Sequence, residues 1–200
     1  MQGLLSLSGF IDRMNERVGR LTAWLVLAAV LISAGNAVTR KAFSLSSNGM
    51  LELQWYLFGA VFMLGAAWTM KTNEHVRVDV LSSRLSKRVR DRIEVWGLIV
   101  FFAPFVLLHL WYSIPFAVNS IRSGEYSTNA GGLIIWPAKT LILLGFILLA
   151  LQGVSELIKR IAIIRGDLQE ADEMGGHGPA AEVKHIIEAV ASQVFIPLTV

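Results

Sequence analysis

Residues 68–94 read WTMKTNEHVRVDVLSSRLSKRVRDRIE. This is the longest interruption between the apolar runs of the chain. Between Lys71 and Arg92 it holds seven of the eighteen Lys and Arg residues, namely Lys71, Arg77, Arg84, Lys87, Arg88, Arg90 and Arg92. The acids among them are Glu74, Asp79 and Asp91. Short loops that stay in the cytoplasm collect Lys and Arg, so this segment is expected inside the cell, and that assignment fixes the direction of the flanking spans.

Composition agrees with a membrane protein. Of the 200 residues 54% are hydrophobic and only 16% charged, whereas a soluble domain carries about 25% charged residues. The net charge of +3 reflects basic residues placed beside apolar runs, without the aromatic-interleaved basic patch of a nucleic-acid binder, so no nucleic-acid partner is expected. With no cysteine, a disulfide relay, a cysteine-held iron–sulfur cluster and thiolate zinc are excluded.

Working outward, residues 1–20 form an N-terminal amphipathic segment. Leu7, Phe10 or Ile11, Met14 and Val18 are three or four apart with charges between them, which predicts a short surface helix. Leu21–Val38 is the first span, with Ala29, Ser33 and Ala37 as a small-residue packing stripe and with Asn36 and Arg40 at its far end. A short polar turn leads to the second span, Leu51–Met70, where Glu52 lies near the outer end and Arg40 is its expected partner. After the basic stretch, Val78, Leu81, Leu85 and Val89 predict a short amphipathic interfacial helix with a restart near Ser86. Ile93–Val118 is the third span. Pro104 cannot donate to the carbonyl of Val100 and is expected to kink it. The loop 119–136 is expected outside, and Pro137 opens a fourth helix running to about Leu157.

Thirteen Lys and Arg residues then lie on one side and four (Arg40, Lys41, Arg122, Lys139) on the other, which places both termini in the cytoplasm. The expected fold is an all-α membrane protein of four transmembrane helices, with an amphipathic helix between the second and third. It divides into the N-terminal segment 1–20, a four-helix domain 21–165 and a cytoplasmic tail 166–200. The tail begins with an acidic, Gly-rich linker and carries Val183, Ile186, Ile187, Val190 and Val194 at helical spacing within 180–194.

Chemistry is sparse. His109 is the one histidine within a span and is expected to hydrogen-bond between helices. No nucleophile–base pair or metal-ligand set is visible, so no catalytic residue, metal or cofactor is expected and the chain does not read as an enzyme. Glu52, Glu94 and Glu156 lie near span ends rather than at the bilayer centre, where a self-sufficient proton-coupled carrier would want an acid. The remaining polar groups form two expected structural clusters: Asn36, Arg40 and Glu52 on the outer side, and His75, Arg77 and Asp79 on the inner.

Those residues carry a resemblance. An Asn and an Arg ending the first span, an acid opening the second, Gly65-Ala66-Ala67 late in it, His75-Val76-Arg77-Val78-Asp79-Val80 just after it, and Trp136-Pro137 before the last span resemble the small, DctQ-like membrane subunit of tripartite ATP-independent periplasmic (TRAP) transporters. The likeness covers roughly residues 10–165, and Met50-Leu51-Glu52-Leu53 keeps one acid where many members have two. It implies a multi-pass protein of the bacterial inner membrane. Its implied partners are membrane lipid, a large membrane subunit holding the Na⁺ and substrate sites, and a periplasmic binding protein that delivers an organic acid or related solute. It also implies a scaffold role, with Asn36, Arg40, Glu52, His75, Arg77 and Asp79 at structural or subunit-interface positions. The alternative is a membrane anchor of a respiratory oxidoreductase, carrying haem or quinone.

Overall fold

The computed structural model describes residues 1–44, 47–72 and 86–168. His75, Arg77 and Asp79, the expected interfacial helix and the tail beyond Leu168 lie outside these described residues. Among the described residues there are five α-helices: α1 (Gln2–Phe43), α2 (Asn48–Thr72), α3 (Lys87–Gly97), α4 (Ala103–Ser123) and α5 (Trp136–Arg165), with a π-helical turn, Leu98–Phe102, joining α3 to α4. Among the described residues four helical stretches are long and apolar enough to cross a membrane: α1, α2, Val89–Ser123 and α5.

The N-terminal amphipathic segment and the first apolar run form one uninterrupted helix of 42 residues. α1 packs along α2 and α5, and α5 also contacts α2, α3 and α4. Hydrogen bonds link Ser8 to Ser155 and Asn15 to Gln152, so the start of α1 lies beside the end of α5 and the two run antiparallel. The bundle therefore has an N-terminal end, where α1 begins and α2 and α5 finish, and a loop end formed by the α1–α2 turn and residues 124–135.

Where a kink is expected at Pro104, the helix changes its winding. Leu98–Phe102 widen to a π turn and the amide of Ala103 donates to the carbonyl of Leu98, five residues back. Such a turn absorbs the missing proline donor without ending the helix. Pro137 lies in the first turn of α5, where an amide would have no intrahelical partner. α1, α4 and α5 end on left-handed residues, Ser44, Gly124 and Gly166.

Burial is inverted relative to a soluble protein. The buried set is rich in polar side chains, among them Ser8, Asn15, Asn36, Glu52, Gln152 and Ser155, while its apolar members are mostly alanines. Trp24, Phe62, Phe101 and Trp111 are instead 69% to 76% exposed. Lipid tails are as apolar as leucine, so helix association in a bilayer relies on close packing and polar contacts. Three glycines provide the close approaches: a Cβ at Gly19 would overlap the Trp68 side chain, one at Gly145 would overlap Met63, and one at Gly153 would overlap the Phe102 ring. The expected Ala29, Ser33, Ala37 stripe is only partly used, since Ala29 is buried but Ser33 and Ala37 are exposed.

Candidate functional site

Two polar clasps close the bundle, one at each end. At the loop end, Asn48, Glu52 and Tyr56 are spaced four apart and so line one face of α2. Each reaches residues 124–135. Asn48 donates to the carbonyl of Ala130 at 2.9 Å and the Tyr56 hydroxyl to that of Ile134 at 3.2 Å. The loop is a narrow hairpin: Tyr126 bridges Ile134 in antiparallel fashion, and the amides of Ser127 and Ile135 donate to Leu133 and Glu125. Gly131 adopts a left-handed φ of 70° at its turn.

The buried Glu52 carboxylate holds this hairpin with three neutral donors. Its Oε1 accepts from the Ser127 hydroxyl and from Asn129 Nδ2 at 2.8 Å, and its Oε2 from the Leu133 amide at 2.7 Å. Gly132 is required here, because a Cβ would stand 2.5 Å from the Ser127 Cβ and 2.9 Å from Glu52 Oε1. Lys139 pairs with Glu125 and sits 4.3 Å above the Phe116 ring, which ties the hairpin to α4 and α5.

This corrects the expected pairing of Glu52 with Arg40. Arg40 is exposed in the last turn of α1, and among the described residues Glu52 takes its hydrogen bonds from the hairpin instead. The physical reason is reach: the hairpin folds directly over the first turns of α2 and brings a main-chain N–H that only donates. Asn36 is buried, with its Oδ1 lacking a hydrogen-bond partner. The structure therefore does not gather Asn36, Arg40 and Glu52 into one bonded cluster. His109 also departs from expectation, since its Nδ1 is bonded to the Phe105 carbonyl of its own helix. Its contact with α5 is ring stacking on Phe146 at 4.7 Å.

The N-terminal clasp joins α1 to α5 around Gln152. Its Oε1 accepts from Asn15 Nδ2 at 2.7 Å, and its Nε2 donates to Asp12 Oδ1 at 3.0 Å and Glu156 Oε1 at 2.8 Å. The Ser155 hydroxyl donates to Asp12 Oδ1 at 2.7 Å and so accepts from the Ser8 hydroxyl, also at 2.7 Å. Lys159 completes the cluster, 2.6 Å from Glu156 and 3.3 Å from Asp12. Beside it Glu16 pairs with Lys71 of α2 at 2.7 Å, and Arg160 with Glu94 of α3 at 2.8 Å. Every helix that reaches this end is thus held by at least one charged contact.

None of Asp12, Asn15, Gln152 and Lys159 was singled out from sequence. The signal was present: Ser8, Asn15, Thr22, Ala29 and Asn36 recur every seven residues, which is a continuous buried seam on a helix, and all five are buried. On α5, Gln152, Ser155, Glu156 and Lys159 share one face by the same geometry.

A search of known families matches residues 29–162 to "Tripartite ATP-independent periplasmic transporters, DctQ component". The chain belongs to this family. It is therefore a multi-pass membrane component of a TRAP transporter, the small permease subunit, and the family is a transporter component rather than a known enzyme family. No curated relative and no solved structure matches it at a significant level. The respiratory-anchor alternative finds no support in this assignment. The matched region of the DctQ component spans α2, α4 and nearly all of α5 but begins at Ala29. Asp12 and Asn15 of the N-terminal clasp thus lie before it, while their partners Gln152 and Ser155 lie within it.

Proposed function

We propose that this chain is a small scaffold subunit of the bacterial inner membrane. It would support a large permease in Na⁺-driven uptake of an organic acid or related solute delivered by a periplasmic binding protein. Family membership implies both partners. The observation that carries the scaffold reading is the distribution of charge. No Asp, Glu, Lys or Arg occurs between Arg20 and Arg40, Glu52 and Lys71, Glu94 and Arg122, or Lys139 and Glu156.

The middle of each of the four spans is thus free of charge. A Na⁺ ion or a carboxylate solute crossing the membrane needs compensating groups near the midplane, and in this reading the large subunit supplies them. The clasps instead keep the four helices and the hairpin at fixed positions against which a moving partner can work. In this reading both termini lie in the cytoplasm, which the bias of basic residues supports. His75, Arg77 and Asp79 belong to this proposal as interface residues on the cytoplasmic side.

The test is reconstitution. Liposomes with the large subunit, the binding protein and this chain should accumulate solute under a Na⁺ gradient, and liposomes with this chain alone should not. Accumulation by this chain alone would overturn the reading. Asp79→Ala should lower the yield of large subunit that co-purifies, and an intact complex with normal uptake would remove that residue from the interface.

A further inference from the structure

α4 buries one narrow seam inside the chain, Val106, Ser113, Ala117 and Ser120, and packs chiefly on α5. The third span is the least buried of the four, 6% against 17% to 22% over their most apolar stretches. Beside the seam, Phe101, Phe105, His109, Tyr112 and Phe116 recur every three or four residues and so share one stripe along the helix. Its phenylalanine and tyrosine rings are 46% to 76% exposed, and His109 is half-buried. Phe146 of α5 lies along the stripe, its ring centre 6.2 Å from that of Phe105 and 4.7 Å from that of His109.

His109 is at the centre of that stripe and lies deep. It is 15 residues from Glu94 and 13 from Arg122, and Phe146, on which it stacks, is 7 from Lys139 and 10 from Glu156. Both helices thus place the ring near the middle of their charge-free runs. The contact of Nδ1 with the Phe105 carbonyl at 2.8 Å fixes the tautomer. A carbonyl only accepts, so Nδ1 carries the proton and Nε2 of the neutral ring is left as an acceptor. Among the described residues Nε2 has no hydrogen-bond partner. An acceptor left open to hydrocarbon is costly, and an ionisable side chain at this depth is expected to have a partner. We propose that the groove between this stripe and Phe146 receives a transmembrane helix of the large permease subunit, which donates a hydrogen bond to His109 Nε2 at half depth. This rests on the scaffold reading above, in which family membership implies that partner and the partner carries polar groups near the midplane. Acyl chains offer no donor, and a two-fold contact between copies of this chain would set one Nε2 acceptor against another.

The test uses the full chain co-expressed with its large subunit. A photoreactive benzoylphenylalanine in place of Tyr112 should cross-link to the large subunit, and one in place of Leu107, on the opposite side of α4, should not. His109→Leu should weaken the complex about three- to tenfold, the range expected of one hydrogen bond between helices in a bilayer, measured as large subunit retained on dilution in detergent. His109→Gln, whose side-chain oxygen can accept at a similar reach, should restore most of that loss. Both variants lose the same stacking on Phe146, so the isolated subunit should unfold at the same midpoint in each, and the difference between them reports the partner. Cross-linking from position 107 as strong as from 112, cross-links between two copies, no protein adduct at 112, or a His109→Leu complex as tight as the native one would each overturn the proposal. The scaffold reading would survive any of these as long as the native subunits co-purify, and their failure to do so would end both.

Discussion

Asn15 Nδ2 donates to Gln152 Oε1 at 2.7 Å, and this leaves Asn15 Oδ1 buried without a partner. The orientation cannot be reversed cheaply. Gln152 Nε2 is committed to Asp12 and Glu156, so Gln152 must present its oxygen to Asn15, and Asn15 must answer with its nitrogen. Gln152 is therefore the hub and Asn15 a spoke. Gln152→Leu should orphan a donor on Asn15 and an acceptor position on each of two acids, at about 1 to 3 kcal/mol for each buried group left unsatisfied. Asn15→Ala removes one bond and one unsatisfied oxygen together and should cost clearly less. Thermal unfolding of the purified subunit in detergent gives the order, with the glutamine variant expected to have the lower midpoint.

At the other end the clasp depends on which donors can reverse their roles. The Ser127 hydroxyl and the Asn129 amide can each accept as well as donate, but the Leu133 N–H can only donate. Glu52→Gln can therefore turn its oxygen to Leu133 and let the other two rearrange, whereas Glu52→Ala leaves all three without an acceptor. Amide hydrogen exchange at Leu133 should stay slow in Glu52→Gln and speed up by about tenfold or more in Glu52→Ala, as expected where a locking bond is lost. Gly132→Ala should resemble the second variant, since its Cβ would push on Ser127 and Glu52 together. Equal exchange in all three proteins would show that the hairpin holds itself.

The fold was legible wherever the bilayer dictates it. Four apolar runs must be helical because a lipid-exposed backbone has to satisfy its own hydrogen bonds, and Pro104 marked the place where the third span changes its winding. The sites were legible only in part. Glu52 drew attention as an acid at a span end, yet charge and nearness in sequence pointed to Arg40, while its partners lie 75 to 81 residues away in the hairpin. The residues of the N-terminal clasp are 137 to 147 apart. The reading of residues 1–20 took Leu7, Phe10 or Ile11, Met14 and Val18 as the apolar face of a short surface helix and assigned no role to the polar residues between them. In α1 the buried seam is Ser8, Asn15 and Gly19 with Ile11, the reverse of the soluble rule.

Arg160 tests how much a charged contact contributes where helices leave the membrane. Its side chain is largely buried and its Nε lies 2.8 Å from Glu94 Oε2, tying α5 to α3. Removing one partner of a fully buried pair costs about 3 to 5 kcal/mol because the other charge is stranded. Here Glu94 is partly open to water and both residues have further interactions, so the lower end is expected. Glu94→Ala should lower the unfolding midpoint more than the double variant Glu94→Ala with Arg160→Met, in which no charge is left behind. A double variant that is no more stable than the single would show that water already screens the pair.

Phe102 and Gly153 bind the π turn to α5, and here the expected outcome is a rescue. The π winding of Leu98–Phe102 sets Phe102 against α5, where a Cβ at position 153 would overlap its ring. Gly153→Ala should therefore force either the ring off its rotamer or the helices apart, an overpacking cost of about 1 to 3 kcal/mol. The helix-propensity gain of alanine over glycine, about 1 kcal/mol, offsets only part of that. Phe102→Leu in the same chain frees the space and leaves the propensity gain in place, so the pair should be more stable than Gly153→Ala alone. Measured as a double-mutant cycle on thermal midpoints, coupling well above the few tenths of a kcal/mol typical of independent sites is expected. Additive effects would mean that α5 does not rest on the π turn at this point.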